Sequence, residues 1–226
     1  MYIIYMINVG IFNTGSGGKD ILSRLKKYSY INSQLLIDNK FTGNDTKSFV
    51  NKRTKKAIET FKKNGIYIIV IACHTAFSSI YGDILNNKKY LRNINIYEPI
   101  LPVCRIILKK KLRNVTILST KLTKKLKVHE KILKFKCNYI ESENLAKYID
   151  DKFDTTNCIT NLLNIDATKI DCFVLGCTHY SLVEDKIRKI LKKRVFKGLI
   201  LNSNKILIQY IHNSLSGDKV PRTPYI

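Results

Sequence analysis

The chain has 226 residues, of which 45% are hydrophobic, and its 40 Lys and Arg against 17 Asp and Glu give a formal net charge of +23. This composition buries a sizeable core, which excludes an intrinsically disordered protein. No apolar run reaches the ~18 residues needed to span a bilayer, which excludes a membrane-spanning protein. The positive charge is spread along the chain, so we expect no nucleic-acid partner, although nucleic-acid binding stays an alternative.

The N-terminal residues 1–6 are apolar but lack a basic n-region and a small-residue cleavage site, so they predict a first buried strand rather than a signal peptide. An even number of cysteines is also compatible with the disulfides of a secreted protein. Nothing else in the sequence indicates secretion. We therefore expect a reducing cytoplasm and six free thiols, at Cys73, Cys104, Cys137, Cys158, Cys172 and Cys177.

An apolar run, a turn and a helical segment follow one another several times along the chain. Residues 7–12 predict a strand, 13–18 a glycine-rich turn, and the segment after it places apolar residues at helical spacing. Residues 46–63 predict a helix that ends at Asn64-Gly65. The β-branched run 66–72 predicts a strand buried on both faces, as in a parallel sheet. The apolar face of the second helix would consist of Phe49, Val50, Ala57, Ile58 and Phe61.

A second half begins near Glu98-Pro99, where Pro99 and Pro102 predict a turn or crossover and Glu98 a solvated turn residue. Residues 114–119 and 171–176 predict further strands. A helix follows the second of these strands, and the tail from Ser216 is expected to be loose. The alternation of strands and helices predicts an α/β fold with mostly parallel sheets. The apolar stripe of that helix would consist of Val183, Ile187, Ile190 and Leu191.

One element occurs twice, once in each half. A buried strand ends in a small residue and a cysteine, at Cys73 in the first copy and at Cys177 in the second. The carboxyl end of a parallel strand is where α/β sheets bind ligands, and the start of the next helix favours a thiolate by lowering the thiol pKa. Buried cysteines are also common as small hydrophobic residues, and we interpret the other four in that way. The duplication predicts two halves facing each other across a cleft, with one thiol on each side.

Two opposed thiols suit racemisation, because one thiolate can take the α-proton of an amino acid while the other thiol protonates the far face. The carbanion then needs hydrogen-bond donors and exclusion of water. The turn at residues 14–18 would supply such donors together with Thr75 and Thr178. This turn lacks the G-K-[ST] ending of a P-loop, and Asp20 stands where the G-x-G-x-x-G motif needs its third glycine. Zinc binding by Cys73-His74 and Cys177-Thr178-His179 stays an alternative, although neither has the spacing of a structural site.

Three segments resemble the glutamate racemase family, in the right order and spacing. Residues 10–18, G-I-F-N-T-G-S-G-G, resemble its G-[IV]-F-D-S-G-x-G-G opening, residues 72–76 resemble A-C-N-T-A, and residues 175–180 resemble L-G-C-T-H-[FY]. The resemblance implies two pseudosymmetric α/β domains, 1–98 plus about 203–226 and 99–202, with the active site between them. It also implies no cofactor, no metal, a homodimer, and supply of D-glutamate to bacterial peptidoglycan.

The resemblance also implies roles for individual residues. Cys73 and Cys177 match the two catalytic bases, His179 the histidine that assists Cys177, and Asn13 the residue that assists Cys73. An auxiliary glutamate that polarises the substrate ammonium falls near Glu141 or Glu143. The matching substrate contacts are Asn13, Thr14, Gly43, Asn44, Asp45, His74, Thr75, Thr178 and His179. From the residues alone, His179 could instead cap a helix and Asn13 could close an Asx-turn.

Several positions depart from the family pattern. Asn13 stands where the family has an aspartate, which keeps a hydrogen bond but removes a charge. His74 replaces an asparagine that contacts substrate, and Phe77 replaces a small residue. The segment 43–45 alters a P-Y-G-x-K-S core that binds a substrate carboxylate. Two alternatives therefore stay open: a racemase for another small acid such as aspartate, and a degenerate, non-catalytic family member with nucleic-acid affinity.

Overall fold

The computed structural model describes residues 6–216 and contains two four-stranded parallel sheets in that range. The first has the order β2-β1-β3-β4 and the second the order β6-β5-β7-β8, so the two halves repeat one topology. The predicted α/β fold with two pseudosymmetric halves is confirmed. The first sheet contains β1 (Ile7–Asn13), β2 (Ile31–Ile37), β3 (Ile68–Ile71) and β4 (Asn95–Tyr97). The second contains β5 (Val115–Ser119), β6 (Asn138–Glu141), β7 (Cys172–Gly176) and β8 (Leu199–Asn202).

Helices connect the strands and cover the sheets. Those in the first half are α1 (Ser16–Leu25), α2 (Lys47–Lys63) and α3 (His74–Leu85), and α4 (Ile100–Lys109) begins the second half and connects the two sheets. The others in the second are α5 (Lys121–Leu126), α6 (Val128–Leu133), α7 (Leu145–Asp150), α8 (Thr156–Leu162), α9 (Glu184–Lys193) and α10 (Ser203–Leu215). Short 3-10 helices lie at Lys89–Leu91, Ala167–Lys169 and Thr178–Val183. No helix between residues 6 and 216 is long and apolar enough to cross a lipid bilayer.

The hydrophobic core is continuous between the halves. Phe12 of β1 and Ile71 of β3 belong to the same buried cluster as Ile117 of β5, and all three are fully buried. The C-terminal helix α10 returns to the first sheet, where Leu207 packs in the cluster that contains Val9 and Val70. Packing across the two halves fixes how the carboxyl ends of their strands face each other. The domain boundaries given above remain a prediction.

Two expectations about the start of the second half are wrong. Pro99 immediately precedes α4 and Pro102 lies in its first turn, where helix N–H groups have no intrahelical acceptor and proline is tolerated. Glu98 is buried rather than solvated, and its carboxylate accepts hydrogen bonds from the N–H groups of Ile100 and Leu101 at 2.6 and 2.8 Å. It acts as a cap for α4, which explains why an acidic residue is buried there.

Other predicted positions shift for local reasons. Phe49 is 41% exposed rather than buried, and its ring centroid lies 5.9 Å from the guanidinium carbon of Arg53. The first strand begins at Ile7, and Met6 is exposed. The other residues of the predicted N-terminal strand, 1–5, lie outside the described residues, as does the predicted loose tail at 217–226.

Candidate active site

A pocket of about 300 Å³ opens between the halves, at the carboxyl ends of the central strands. It has contributions from the turn after β1, the loop before α2, the starts of α3 and α5, and helix α7. The predicted site residues that line it are Thr14, Gly43, Asn44, Cys73, Thr75, Cys177 and His179. Four others, Asn13, Asp45, His74 and Thr178, are not among its lining residues.

Cys73 lies between the end of β3 and the first residue of α3, and only 6% of its surface is exposed. The hydroxyl of Thr14 donates to its Sγ at 3.7 Å. Burial raises the pKa of the Cys73 thiol, against hydrogen bonds from the N–H groups of Ala76 and Thr75, and the nearby Cys177 adds to the rise. The expectation that the start of a helix lowers this pKa is therefore wrong for Cys73, because desolvation outweighs the helix N–H groups.

Cys177 follows β7 and precedes the 3-10 helix Thr178–Val183. Its Sγ lies 3.6 Å from Nδ1 of His179, and Nε2 of that histidine lies 3.0 Å from a carboxylate oxygen of Asp150. The second carboxylate oxygen accepts a hydrogen bond of 3.1 Å from the N–H of Ser16, at the start of α1. A thiol, an imidazole and a carboxylate thus form a connected chain on one side of the pocket.

The carboxylate of Asp150 and the imidazolium of His179 each stabilise the charge of the other. Burial opposes the charged imidazole, but the hydrogen bonds to Asp150 and Cys177 and the charges of both raise the pKa of His179 to about 10. Burial likewise raises the pKa of Asp150, but the hydrogen bonds from His179 and Ser16 lower it to about 2. At neutral pH His179 is therefore an imidazolium held by the carboxylate of Asp150, with the sulfur of Cys177 3.6 Å from its other ring nitrogen.

Of the two predicted positions for an auxiliary carboxylate, one lies in the pocket and the other outside it. Glu141 forms an ion pair with Lys124 at 3.2 Å. Glu143 lines the pocket, and its backbone carbonyl accepts a hydrogen bond from the amide of Asn44. The carboxylate that contacts His179 belongs to Asp150, which sequence reasoning missed. The only signal for it was an Asp-Asp pair near the end of a short helix, and pairing with a residue 29 positions away depends on the fold.

Asn13 connects the halves instead of reaching the sulfur of Cys73. Its amide group donates to the carbonyl oxygen of Thr14 at 3.1 Å, and its carbonyl oxygen accepts a hydrogen bond from the hydroxyl of Thr178 at 3.3 Å. The side chain is fully buried. Asn13 and Thr178 therefore hold the turn after β1 against the turn after β7.

The loop of residues 42–45 forms part of the pocket wall. Gly43 accepts a hydrogen bond from the N–H of Leu122 at 2.8 Å, and a Cβ on Gly43 would lie 2.2 Å from Cβ of Thr120. Only glycine allows this close approach. Asp45 accepts hydrogen bonds from the N–H and hydroxyl of Thr42, so its carboxylate closes the loop on itself.

A buried set of hydroxyl groups lies at the floor of the pocket. The hydroxyl of Thr75 lies 2.9 Å from that of Thr120 and 3.3 Å from that of Thr123. Thr75 and Thr120 both line the pocket, one from each half. Thr120 was not among the residues expected from the sequence. It lies immediately after β5, in the position that corresponds to Thr14 after β1, and this repeat of the topology was the available signal.

His74 faces away from the pocket, despite its place beside Cys73. It is 1% exposed and stacks on His129, with the ring centroids 6.1 Å apart. Neither ring nitrogen of either histidine has a hydrogen-bond partner within the described residues. The expected substrate contact is therefore not present, because the first side chain of α3 packs into the core. Phe77, one turn later, is also fully buried there.

The sequence left phosphate binding by the glycine-rich turn, zinc binding and disulfide formation as alternatives to catalysis by free thiols, and the contacts of the described residues support none of the three. The turn after β1 packs on the acid/base chain: Gly15 has a φ of 73°, and a Cβ there would lie 2.3 Å from Asp150 and 2.6 Å from His179. Within residues 6–216, no group of three or more His, Cys, Asp or Glu side chains could hold a metal ion. All six cysteines are free.

Several solved structures of similar fold are amino-acid racemases. Glutamate racemase isoform RacE1 from Bacillus anthracis aligns over 97% of this chain and 86% of its own, with a TM-score of 0.79 and 21% identity. The aspartate racemase of Picrophilus torridus aligns over 95% and 96%, with a TM-score of 0.67 and 16% identity. The fold is therefore the two-sheet α/β fold of the amino-acid racemases.

Sequence similarity identifies the family within the amino-acid racemases. No family model matches the chain. The glutamate racemase of Fusobacterium nucleatum subsp. nucleatum is 31% identical over 200 residues, which cover 83% of this chain and 75% of the relative. The chain belongs to the glutamate racemase family.

Proposed function

We propose that the chain interconverts L- and D-glutamate without a cofactor, by proton transfer to and from Cys73 and Cys177. The observation that carries the proposal is that both thiols line one pocket, one from each half of the molecule. They are close enough for the charge on Cys177 to affect the pKa of Cys73. An α-carbon held between them would present one face to each sulfur, which is the geometry that inversion requires.

The groups that surround the two sulfur atoms suit one direction of the reaction directly. Burial favours the neutral thiol at Cys73, while the sulfur of Cys177 lies 3.6 Å from Nδ1 of the His179 imidazolium. The Cys177 thiolate takes the α-proton and forms an S–H bond as the C–H bond breaks. The Cys73 thiol then gives its proton to the opposite face of the same carbon and becomes a thiolate. The other enantiomer reacts in reverse, from the form with the thiolate at Cys73.

The carbanion between these two steps needs stabilisation of its negative charge. Hydroxyl groups of Thr14, Thr75 and Thr120 line the pocket and can donate to the substrate carboxylate, over which the charge spreads. Preorganised donors in a site shielded from water stabilise such a charge far better than the same groups in water. The hydroxyls of Thr75 and Thr120 hydrogen-bond each other across the two halves at 2.9 Å, and Thr120 donates to Thr123 at 3.0 Å, so the substrate carboxylate takes over protons from existing hydrogen bonds.

Glutamate is proposed over aspartate as the substrate because the relatives that are about 30% identical to this chain are glutamate racemases. Aspartate stays the second candidate, since this loop departs from the family pattern at Gly43-Asn44-Asp45. The ratio of turnover on the two amino acids decides between them. With glutamate as substrate, we also propose supply of D-glutamate for peptidoglycan, a cytoplasmic location and a homodimer.

The test measures racemisation of each glutamate enantiomer by circular dichroism. The wild-type protein is expected to racemise both, and Cys73→Ser and Cys177→Ser are each expected to lose turnover in both directions. Cys158→Ser is the matched control, because this half-buried thiol lies outside the pocket and its replacement leaves the rate unchanged. Optical stability of both enantiomers with the wild-type protein would remove the proposal.

A further inference from the structure

The charges that line the pocket do not balance for an acidic substrate. Among the described residues, the lining contains three carboxylates, Glu143, Asp150 and Asp151, and two cations, His179 and Lys147. His179 is committed to Asp150 and Cys177. An amino acid with two carboxylates carries a net negative charge, and the remaining cation is the group that can receive it.

Lys147 is free for this role. No hydrogen bond or ion pair within residues 6–216 involves its ammonium group, whereas the nearby Lys124 is paired with Glu141. The side chain is exposed at the pocket, so its charge is available to a bound molecule.

The helix that carries Lys147 also sets its position relative to the two thiols. Lys147 lies three residues before Asp150 on α7, so the two side chains start on the same helical face, with Cβ atoms about 5–6 Å apart. Asp150 contacts His179, which contacts Cys177. Four residues before Lys147, the backbone carbonyl of Glu143 accepts a hydrogen bond from the side-chain amide of Asn44, in the loop of residues 42–45. Lys147 therefore lies between the acid/base chain and the loop of residues 42–45.

We propose that Lys147 binds the side-chain carboxylate of the substrate and so selects acidic over neutral amino acids. This inference rests on the proposed racemisation of glutamate, since that reaction places the α-carbon between the sulfurs. The side-chain carboxylate then extends along α7, away from the thiols, to the ammonium group and the loop of residues 42–45. The hydroxyls of Thr75 and Thr120, which bond each other at 2.9 Å, would exchange that bond to donate to the α-carboxylate.

The first test separates binding from chemistry. Lys147→Met is expected to raise KM for glutamate at least ~10-fold while kcat changes less than ~3-fold, since the ammonium group does not contact the reacting carbon. Lys147→Arg keeps the charge and is expected to hold KM within about 5-fold of the wild-type value. Lys189→Met, on the exposed face of α9 and outside the pocket, is the matched control and leaves both constants unchanged.

A binding measurement keeps this inference independent of turnover. Glutarate has two carboxylates and no α-amino group, and titration calorimetry measures its affinity for wild type and Lys147→Met. A loss of at least ~10-fold in the variant, with an unchanged thermal unfolding midpoint, supports the assignment even if no racemisation occurs. Equal glutarate affinity, or a fall in kcat with KM unchanged, overturns the role of Lys147 and leaves the proposed racemisation standing.

Discussion

The two catalytic candidates differ in what surrounds each sulfur. Cys177 contacts an imidazolium that is itself held by Asp150, whereas Cys73 has a hydroxyl from Thr14 and backbone N–H groups. Asn13, in the position of the family's aspartate, carries no charge to offset this difference. L- and D-glutamate have equal free energies in solution, so kcat/KM must be equal in both directions. We expect the asymmetry to appear in kcat and KM taken separately.

Asp150→Asn tests whether the carboxylate sets the charge of His179. The asparagine can still accept from the N–H of Ser16 but no longer stabilises the imidazolium, so the pKa of His179 is expected to fall from about 10 toward its ordinary value. We expect kcat to fall by about 10- to 100-fold and the alkaline limb of the pH–rate profile to move to lower pH. Asp151→Asn is the control, because Asp151 also lines the pocket without contacting His179. Identical profiles for Asp150→Asn and wild type would exclude this role.

At this scale the sequence predicts the residues whose position follows from a local pattern. Cys73 and Cys177 each follow a run of apolar residues, so their place at a strand end follows from the residues before them. Asp150 and Thr120 enter the pocket through contacts between distant segments, which no local pattern contains. His74 shows the opposite error, because a motif position next to Cys73 gave no information about which way the side chain faces.

Among the structural elements, the loop of residues 42–45 depends most on a single residue. This loop belongs to the first half and contacts the second, where Gly43 lies against Thr120 and its carbonyl accepts a hydrogen bond from the N–H of Leu122. Since Thr120 also contacts Thr75, a displacement of this loop alters the pocket wall and the hydroxyl pair together.

Gly43→Ala is expected to push this loop away from Thr120, because the new Cβ would lie 2.2 Å from its Cβ. We expect KM for glutamate to rise by about 10-fold or more, with a loss of about 1–3 kcal/mol in the free energy of unfolding from the strain. Gly82→Ala is the matched control: nothing lies within 4 Å of its new Cβ, and alanine in α3 stabilises by about 0.5–1 kcal/mol. Steady-state kinetics and urea unfolding measure both effects. A Gly43→Ala protein with unchanged KM would show that this contact does not shape the pocket.

Elements with strong patterns were predictable, and those governed by caps were not. The continuous apolar runs identified the buried strands β1, β3, β5 and β7 to within two residues. The prolines at 99 and 102 predict a turn or crossover, but the start of a helix tolerates proline as readily. Whether α4 begins there depends on the buried carboxylate of Glu98, which accepts from its first N–H groups.

The buried pair of His74 and His129 belongs to the molecule as a whole, because it links the first helix after β3 to α6 in the second half. Burial lowers the pKa of His129 to about 3, and burial together with His129 lowers the pKa of His74 well below its ordinary value. Both rings are thus neutral in the folded protein and become protonated in the unfolded chain below pH about 6.5. The folded state therefore loses stability as the pH falls from about 6.5 toward 3.

His129→Phe is expected to reduce this loss, because phenylalanine fills the stack beside His74 and Tyr139 without titrating. Each histidine contributes a slope of up to about 1.4 kcal/mol per pH unit, so the variant should show a shallower dependence between pH 6.5 and 4.5. His212→Gln, at a half-exposed histidine that stacks on Tyr28, is the control. Urea unfolding across this range measures the slopes. Parallel curves for wild type and His129→Phe would refute the assignment.

The whole-molecule architecture was predictable because the same strand-and-cysteine element occurs in both halves. Repetition of one element implied repetition of one topology, and both sheets have the same strand order. How the halves face each other could not be read from the residues, since it depends on core packing between Phe12, Ile71 and Ile117 and on the bond between Asn13 and Thr178. The net charge of +23 gave no information on fold.

The most direct measurement of two-sided proton transfer is the position of deuterium during racemisation in deuterium oxide. Starting from L-glutamate, early D-glutamate should carry deuterium at the α-carbon while the remaining L-glutamate keeps its proton, because one sulfur removes the proton and the other delivers solvent-derived deuterium. The same pattern should appear from D-glutamate. Deuterium entering the unreacted enantiomer as fast as the product would contradict transfer by two opposed thiols.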